Sequence, residues 1–143
     1  MSFRDYAFPE VTTQLGLTLE DSPLFADVLP AKLLPGFQDT VRCGLELATA
    51  NRTEKAKSEF VIAPILLELK RTSRQPFKLF SGSEWTVDPS RGLDGSCDFI
   101  LTHGASQFVL DAPFAAIAEA KNDLPINDLP QLMGVLTRIV EGT

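Results

Sequence analysis

Apolar residues follow helical spacing in the first half of the chain and strand-like runs in much of the second. The spacing predicts helices over residues 8–17, 37–50 and 53–71. Runs rich in Phe, Val, Ile and Trp then predict short strands between residues 77 and 118. Helical spacing returns over residues 128–140. The pattern therefore predicts an α/β domain with its sheet between two sets of helices.

The helix over residues 53–71 has a well-marked start and an interruption. Thr53 is a good N-terminal cap, whereas Pro64 should kink the helix or break it in two. Residues 60–69 are apolar nearly all round, which predicts a buried helix. In the last helix, Asp128 is the expected cap and Pro130 falls in the first turn, where proline is tolerated.

Two of the strand-like runs carry acidic residues. Asp98 interrupts one run, and Glu119 and Lys121 close the run over residues 114–118, which predicts a strand buried on both faces. Because side chains alternate along a strand, Glu119 and Lys121 should share a face, roughly 7 Å apart, while Ala120 points away. If the two strands are antiparallel neighbours, Asp98 and Glu119 meet, and two carboxylates in contact need a proton or a cation between them.

Composition indicates one soluble domain. The chain has 143 residues, of which 44% are hydrophobic and 22% charged, and no apolar run approaches the length of a membrane span. The first residues lack the apolar core of a secretion signal. Cys43 and Cys97 lack metal-ligand spacing, so we expect free thiols and a cytoplasmic location. The single His103 excludes a histidine-rich metal site.

The charge distribution is uneven. A formal net charge of −6 argues against a general nucleic-acid binder, which needs a cationic surface. Residues 52–91 hold eight Lys and Arg against five acids, a net +3, whereas the rest of the chain holds five against fourteen, a net −9. This basic middle section either presents one face to phosphate groups or is an ordinary solvated helix surface.

The spacing of the acids carries a family resemblance. Asp98, a spacer of twenty residues and then Glu119-Ala120-Lys121 resemble the motif of the PD-(D/E)xK nuclease superfamily, which has the restriction-endonuclease-like fold. The Gly-Leu-Asp-Gly turn over residues 92–95, Glu59 in the preceding helix and Gln131 in the following helix fit the same arrangement. Over about residues 51–140, the chain resembles small nuclease-like proteins of bacteria, notably cyanobacteria.

This resemblance implies a single domain over residues 1–143. Residues 1–50 would be a helical N-terminal cover, and residues 51–143 would form the core of a helix, a three-stranded mixed sheet and a helix. The superfamily core ends with a further strand, for which the sequence given, ending at Thr143, has no residues left. We therefore expect either a homodimer through the exposed sheet edge or a sheet covered by the N-terminal segment.

The resemblance also implies roles for the site residues. Asp98, Glu119 and the Ala120 carbonyl would bind Mg²⁺ or Mn²⁺, and Lys121 would hold the attacking water or stabilise the phosphorane charge. Glu59 would bind metal-site water or a second ion. Gln131 would orient Lys121 or contact the phosphate backbone. The implied reaction is metal-dependent hydrolysis of phosphodiester bonds, with DNA as the favoured substrate and nucleic acid as the partner.

Other interpretations of the same residues stay open. Glu119 and Lys121 also suit a strand-end ion pair, Asp98 suits an acid bonded to backbone N–H groups, and Glu59 suits a charge favoured by a helix N-terminus. The alternative function is a catalytically inactive binding or structural protein with the nuclease fold, including a truncated relative of the superfamily. A third alternative is a hydrolase that uses Ser96 or Ser106 with His103 and Asp111.

Overall fold

The computed structural model describes residues 5–121 and 128–142, which form a layer of helices against a three-stranded sheet. The elements run in the following order: α1 (Glu10–Leu15), α2 (Pro35–Asn51), α3 (Glu54–Lys57), a π-helical turn (Ser58–Ile62), α4 (Ala63–Thr72), β1 (Lys78–Asp88), a 3-10 turn (Pro89–Arg91), β2 (Leu93–Thr102), β3 (Phe114–Ala118) and α5 (Leu129–Glu141). The α/β class is therefore confirmed.

The helix expected over residues 53–71 continues through Pro64 instead of breaking. Thr53 caps its start, since its hydroxyl oxygen accepts the Ala56 N–H at 3.0 Å. The π-helical turn lies just before Pro64, and there the Ala63 N–H donates to the Ser58 carbonyl, five residues back. A proline has no N–H for the usual bond, so the wider turn takes up the misfit while the helical dihedral angles continue.

This helix is amphipathic, which corrects the prediction that it is buried all round. Val61, Ile65 and Leu69 are almost completely buried, whereas Phe60 and Leu67 are 38% and 59% exposed. In a two-layer arrangement, each helix has one face on the core and one face in solvent. Apolar composition alone does not distinguish these two faces.

A close helix crossing brings α2 onto the π-helical turn. A Cβ atom on Gly44 would lie only 1.9 Å from the Phe60 carbonyl oxygen. Pro64 has no N–H with which to give this carbonyl the usual helical bond. Gly44 thus allows the α2 backbone to approach the turn at the point where Pro64 interrupts the normal pattern.

The sheet is antiparallel throughout, which corrects the expected mixed sheet. Its strand order is β1-β2-β3, with Phe80 opposite Ile100 in one pair and Phe99 opposite Ala118 in the other. Four residues connect β1 to β2, and eleven connect β2 to β3. Parallel neighbours need a crossover of a dozen or more residues, so these connections favour antiparallel pairing.

β3 is an edge strand, and it is not buried on both faces as predicted. Phe114 and Ile117 are 37% and 45% exposed, although α5 contacts the strand. Among the described residues, β3 pairs with β2 alone. The segment before α2 packs along α5, where the Ala31 N–H donates to the Pro130 carbonyl at 2.8 Å. The homodimer expected through the β3 edge stays a prediction.

The far half of the β1–β2 hairpin bends back towards β3. Trp85 lies opposite Gly95 and Phe114 opposite Thr102, so on a flat sheet the two aromatic rings would be about 20 Å apart. Their centroids are instead 4.6 Å apart, at an interplanar angle of 46°. Gly82, opposite Asp98 in the register, has a left-handed φ of 64° that suits a bend at this position.

The core lies between the helices and one face of the sheet. Most of its buried members come from α2, the π-helical turn, α4, β2 and α5, and they include Val41, Val61, Leu69, Phe99, Leu101 and Met133. Both ends of α5 are as predicted. Asp128 caps the N-terminus by accepting the Gln131 N–H, and Gly142 follows the last turn with a φ of 82°. No helix among the described residues is both long and apolar enough to cross a bilayer.

The Gly44 crossing gives a test of the helix layer. We expect Gly44→Ala to lower the free energy of unfolding by about 1–3 kcal/mol, because the new methyl group overlaps the Phe60 carbonyl. Gly36→Ala is the matched control on α2. A Cβ there meets nothing within 4 Å, so helix propensity should make it neutral or stabilising by up to about 1 kcal/mol. Urea unfolding measures both, and equal effects would contradict this packing.

Candidate functional site

Asp98 and Glu119 meet at the point where the β2–β3 pairing ends. The pair next to them in the ladder is Phe99 opposite Ala118. Asp98 Oδ2 accepts the Ala120 N–H at 2.8 Å, and Glu119 Oε1 accepts the Asp98 N–H at 3.3 Å. Each side-chain carboxyl group therefore accepts a backbone N–H of the other segment, where regular strand pairing would use a backbone carbonyl. The predicted meeting of the two acids is confirmed.

The pKa of Glu119 is raised in this contact. Burial raises the pKa of Glu119, and the negative charge of Asp98 and a hydrogen bond between the two side chains raise it further. The Asp98 N–H and the charge of Lys121 act in the opposite direction, lowering that pKa. Each backbone bond uses one oxygen of a carboxyl group. The other oxygens are left to share a proton or a cation.

An open cavity of about 690 Å³ contains this pair. Its walls come from four parts of the chain: α3, the bent hairpin, β2, and β3 with the residues that follow it. Its lining residues include Glu54, Trp85, Cys97, Asp98, Ile117, Glu119 and Lys121. The volume lies within the range of ordinary small-molecule sites.

Ala120 fixes the direction of its two neighbours. Ala120 is only 2% exposed and belongs to the hydrophobic core, whereas Lys121 is exposed and lines the cavity with Glu119. The alternation expected from strand geometry thus continues past the last residue of β3. The ammonium group of Lys121 therefore shares the cavity with the carboxyl groups of Asp98 and Glu119.

Glu59 lies beside this cavity and not in it. Its carboxylate pairs with Lys55 Nζ at 2.9 Å, and its side chain is about half exposed. Glu59 borders a neighbouring cavity of about 450 Å³, which Asp98 also lines. The expected role of Glu59 at the metal site stays a prediction.

Glu54, which sequence reasoning assigned only to the first helical turn, lines both cavities together with Asp98. The sequence indicated part of this position, since Glu54 directly follows the capping Thr53 and so lies at the start of the helix. The π-helical turn, which changes the direction of the residues around Glu59, could not be read from regular helical spacing. Trp85 is the second residue that sequence reasoning missed at this site.

Gln131 bonds to backbone of the N-terminal segment and to the cap of its own helix. Its side-chain nitrogen donates to the Val28 carbonyl at 3.0 Å, and its backbone N–H donates to Asp128. It is not among the residues that line the cavity of Asp98 and Glu119. The expectation that Gln131 would orient Lys121 therefore does not match this arrangement, in which Gln131 fastens the N-terminal segment to α5.

Cys97 is a buried thiol at the edge of the acidic pair. Burial raises its pKa, and the negative charges of Glu119, Asp98 and Glu84 raise it further. The thiol is therefore held in its protonated form, which is poor both as a nucleophile and as a metal ligand. Cys43 and Cys97 are both free, as predicted.

In the alternative serine hydrolase, the side chains of His103 and Ser106 bond to backbone groups instead of to each other. His103 Nδ1 contacts the Pro76 carbonyl at 3.0 Å, and the Ser106 hydroxyl accepts the Phe108 N–H at 3.0 Å. Ser96 lies seven residues before His103 along β2 and its exit, roughly 20 Å away. Asp111 packs against Gly104. This placement does not support a Ser-His-Asp triad.

The acidic pair suits only some metal ions. Residues 5–121 and 128–142 contain no group of three or more His, Cys, Asp or Glu side chains arranged to hold a metal ion. Zinc sites need three or four such ligands. Mg²⁺ often uses one or two carboxylates and takes the rest of its shell from water and substrate phosphate. Asp98 and Glu119 fit that second pattern.

Comparisons of the chain with protein-family models, curated proteins and solved structures found no match. The resemblance to the PD-(D/E)xK superfamily therefore stays a prediction that depends on the residues themselves.

The raised pKa of Glu119 predicts a pH-dependent cost to folding. A raised carboxyl pKa means that the folded protein binds the proton more tightly than the unfolded chain does. The stabilising effect of this bound proton is complete below the pKa that Glu119 has in the unfolded chain. It is lost as the pH rises through the pKa of Glu119 in the folded protein. Without divalent cations, we expect Glu119→Gln to be more stable than the wild type at pH 7. The difference should shrink towards pH 4.

Urea unfolding in EDTA at both pH values measures this effect. Glu46→Gln, which changes an exposed acid on α2, is the matched control and should show no comparable gain at pH 7. A Glu119→Gln variant that is less stable than the wild type at pH 7 would show that the ionised carboxylate is a net structural contact.

Proposed function

We propose that this protein is a metal-dependent nuclease that hydrolyses phosphodiester bonds, with DNA as the favoured substrate, on a restriction-endonuclease-like core. The proposal depends on the contact between Asp98 and Glu119. Each of their carboxyl groups accepts a backbone N–H from the segment that carries the other, and Lys121 lies in the same cavity. Two oxygen ligands beside one ammonium group provide what hydrolysis of a phosphodiester requires: a site for a hard cation and a separate positive charge.

Each residue of the site has a role in this reaction. Asp98 and Glu119, with the Ala120 carbonyl, would hold Mg²⁺ or Mn²⁺, which when bound activates water and screens the phosphate charge. Lys121 orients the attacking water or donates to the phosphate oxygen that gains charge as water adds and the P–O bond breaks. Glu54 lies where it can accept a hydrogen bond from a water in the cavity.

The charges in the cavity favour strict dependence on a divalent cation. Among the described residues, Glu54, Asp98 and Glu119 line it against one cation, Lys121, and the whole chain carries a net charge of −6. A phosphodiester is repelled from such a site unless a bound divalent cation neutralises the local charge. The basic section over residues 52–91 would then meet the flanking phosphates.

A nuclease-fold binding protein without catalysis is the second candidate. The small number of ligating side chains among the described residues favours it, because two carboxylates give a weaker site than three. We also propose a homodimer through the β3 edge and a cytoplasmic location, which the two free cysteines support. Light scattering that shows only a monomer would contradict the dimer.

Metal binding is the first prediction of the nuclease proposal. We expect saturable Mn²⁺ binding by calorimetry in the wild type and none in Asp98→Asn, because that variant loses one of two anionic ligands. Asp21→Asn is the matched control, since Asp21 is exposed and does not line the cavity. Equal binding by all three proteins would exclude Asp98 as a ligand.

The role of Lys121 gives a separate prediction. Lys121→Ala should keep Mn²⁺ binding but lower the rate of plasmid nicking at least about 100-fold, as expected for loss of a group that stabilises the transition state. Lys32→Ala, which removes an exposed lysine outside the cavity, should leave the rate unchanged. A wild type that binds Mn²⁺ without cleaving either plasmid or single-stranded DNA would instead support the binding protein.

A further inference from the structure

The lining of the acidic cavity also includes aromatic and apolar side chains. Trp85 and Ile117 line the same cavity as Asp98 and Glu119. Trp85 is half-buried, and Ile117 is 45% exposed. None of the roles proposed above for the acids and Lys121 uses either side chain.

The position of Trp85 depends on the bent hairpin. Phe114 packs against the indole ring at a centroid distance of 4.6 Å, and Phe114 itself is not among the residues that line the cavity. The bend beside Gly82 therefore brings a ring from the far part of β1 over β3 and supports it with a second ring. A ring held in this way loses little conformational freedom when a flat ligand contacts it.

The lining thus combines two kinds of side chain within about 690 Å³. The carboxyl groups and Lys121 suit a cation-bound phosphate. Trp85 and Ile117 suit a flat apolar group. A nucleotide joins a phosphate to a flat aromatic base in the same way, and bases stack on tryptophan whatever their sequence.

We propose that Trp85 and Ile117 form a binding site for one unpaired base, so that the substrate class is single-stranded nucleic acid. This inference depends on the proposed nuclease function for the position of the phosphate. In a duplex, the base is stacked and paired and cannot contact the indole unless it is extruded. A single strand presents its bases without that cost.

The overall charge agrees with a short, single-stranded contact. Binding of duplex DNA depends on many cationic contacts to phosphates, and this chain has a net charge of −6. Single-strand sites instead combine a few backbone contacts with aromatic stacking, which is worth about 5- to 150-fold in affinity per base. Trp85 supplies that second contribution.

Trp85 is the only tryptophan in the chain, so its fluorescence reports directly on this site. With Mg²⁺ present, thymidine 5′-monophosphate should quench the emission saturably, whereas deoxyribose 5-phosphate, which lacks the base, should not. Thymidine, which lacks the phosphate, should quench at higher concentration with or without Mg²⁺. Absence of quenching by both thymidine compounds would overturn the proposal.

Variants test the same site through cleavage. Trp85→Leu should raise KM for a single-stranded oligonucleotide about 5- to 150-fold with little change in kcat, whereas Trp85→Phe should keep most of the affinity. Phe108→Leu changes a ring that is 95% exposed and outside the cavity, so it should behave as the wild type. Circular dichroism checks that each variant is folded.

The outcomes separate this inference from the nuclease proposal. Cleavage with equal KM in the wild type and Trp85→Leu, or a preference for duplex that Trp85→Leu leaves unchanged, overturns the base site while the nuclease proposal stands. Quenching by thymidine in a protein that neither binds Mg²⁺ nor cleaves supports the base site and overturns the nuclease proposal.

Discussion

The arrangement of the site depends on one reciprocal contact, in which two carboxyl groups replace backbone carbonyls at the end of a ladder. Asp98 Oδ2 accepts the Ala120 N–H, and Glu119 Oε1 accepts the Asp98 N–H. These bonds hold the segment after β3 against β2 although the regular pairing has stopped. They also bring two acids together with partial burial, which is costly unless a proton or a cation is shared. The contact that holds the two segments together therefore also creates a pair of neighbouring acids. Lys121 lines the same cavity because Ala120, the residue before it, is buried in the core.

A second constraint, the bend of the β1–β2 hairpin, gives this pair its surroundings. A flat hairpin would leave Trp85 about 20 Å from Phe114 and the acidic pair on an open surface. The bend places the indole beside Phe114 and makes a wall for the cavity. The glycine that suits this bend, Gly82, lies opposite Asp98 in the register. The same stretch of β1 and β2 thus provides both Asp98 and the glycine that permits the bend around it.

Local rules were sufficient for some features of the chain and insufficient for others. The caps at Thr53 and Asp128 and the alternation around Ala120 follow from bonds within a few residues, so the sequence predicts them well. The exposure of β3 depends on its position at the sheet edge, which no local pattern specifies. Gln131 was misplaced because its partner, the Val28 carbonyl, belongs to a segment more than 100 residues earlier. The place of Trp85 in the site depends on a tertiary bend, so a strand pattern alone could not reveal it.

The central claim is that the reciprocal pair of carboxyl groups is a site for a divalent cation. The most direct measurement is an NMR titration of the ¹⁵N-labelled protein with Mg²⁺, which follows each backbone amide separately. The amides of Asp98 and Ala120 donate to the two carboxyl groups and report on charge between them. We expect these two resonances to shift saturably and more than any others, and we expect Glu119→Gln to reduce both shifts. Resonances that stay fixed at millimolar Mg²⁺, or shift no more than those of exposed acidic segments, would contradict it.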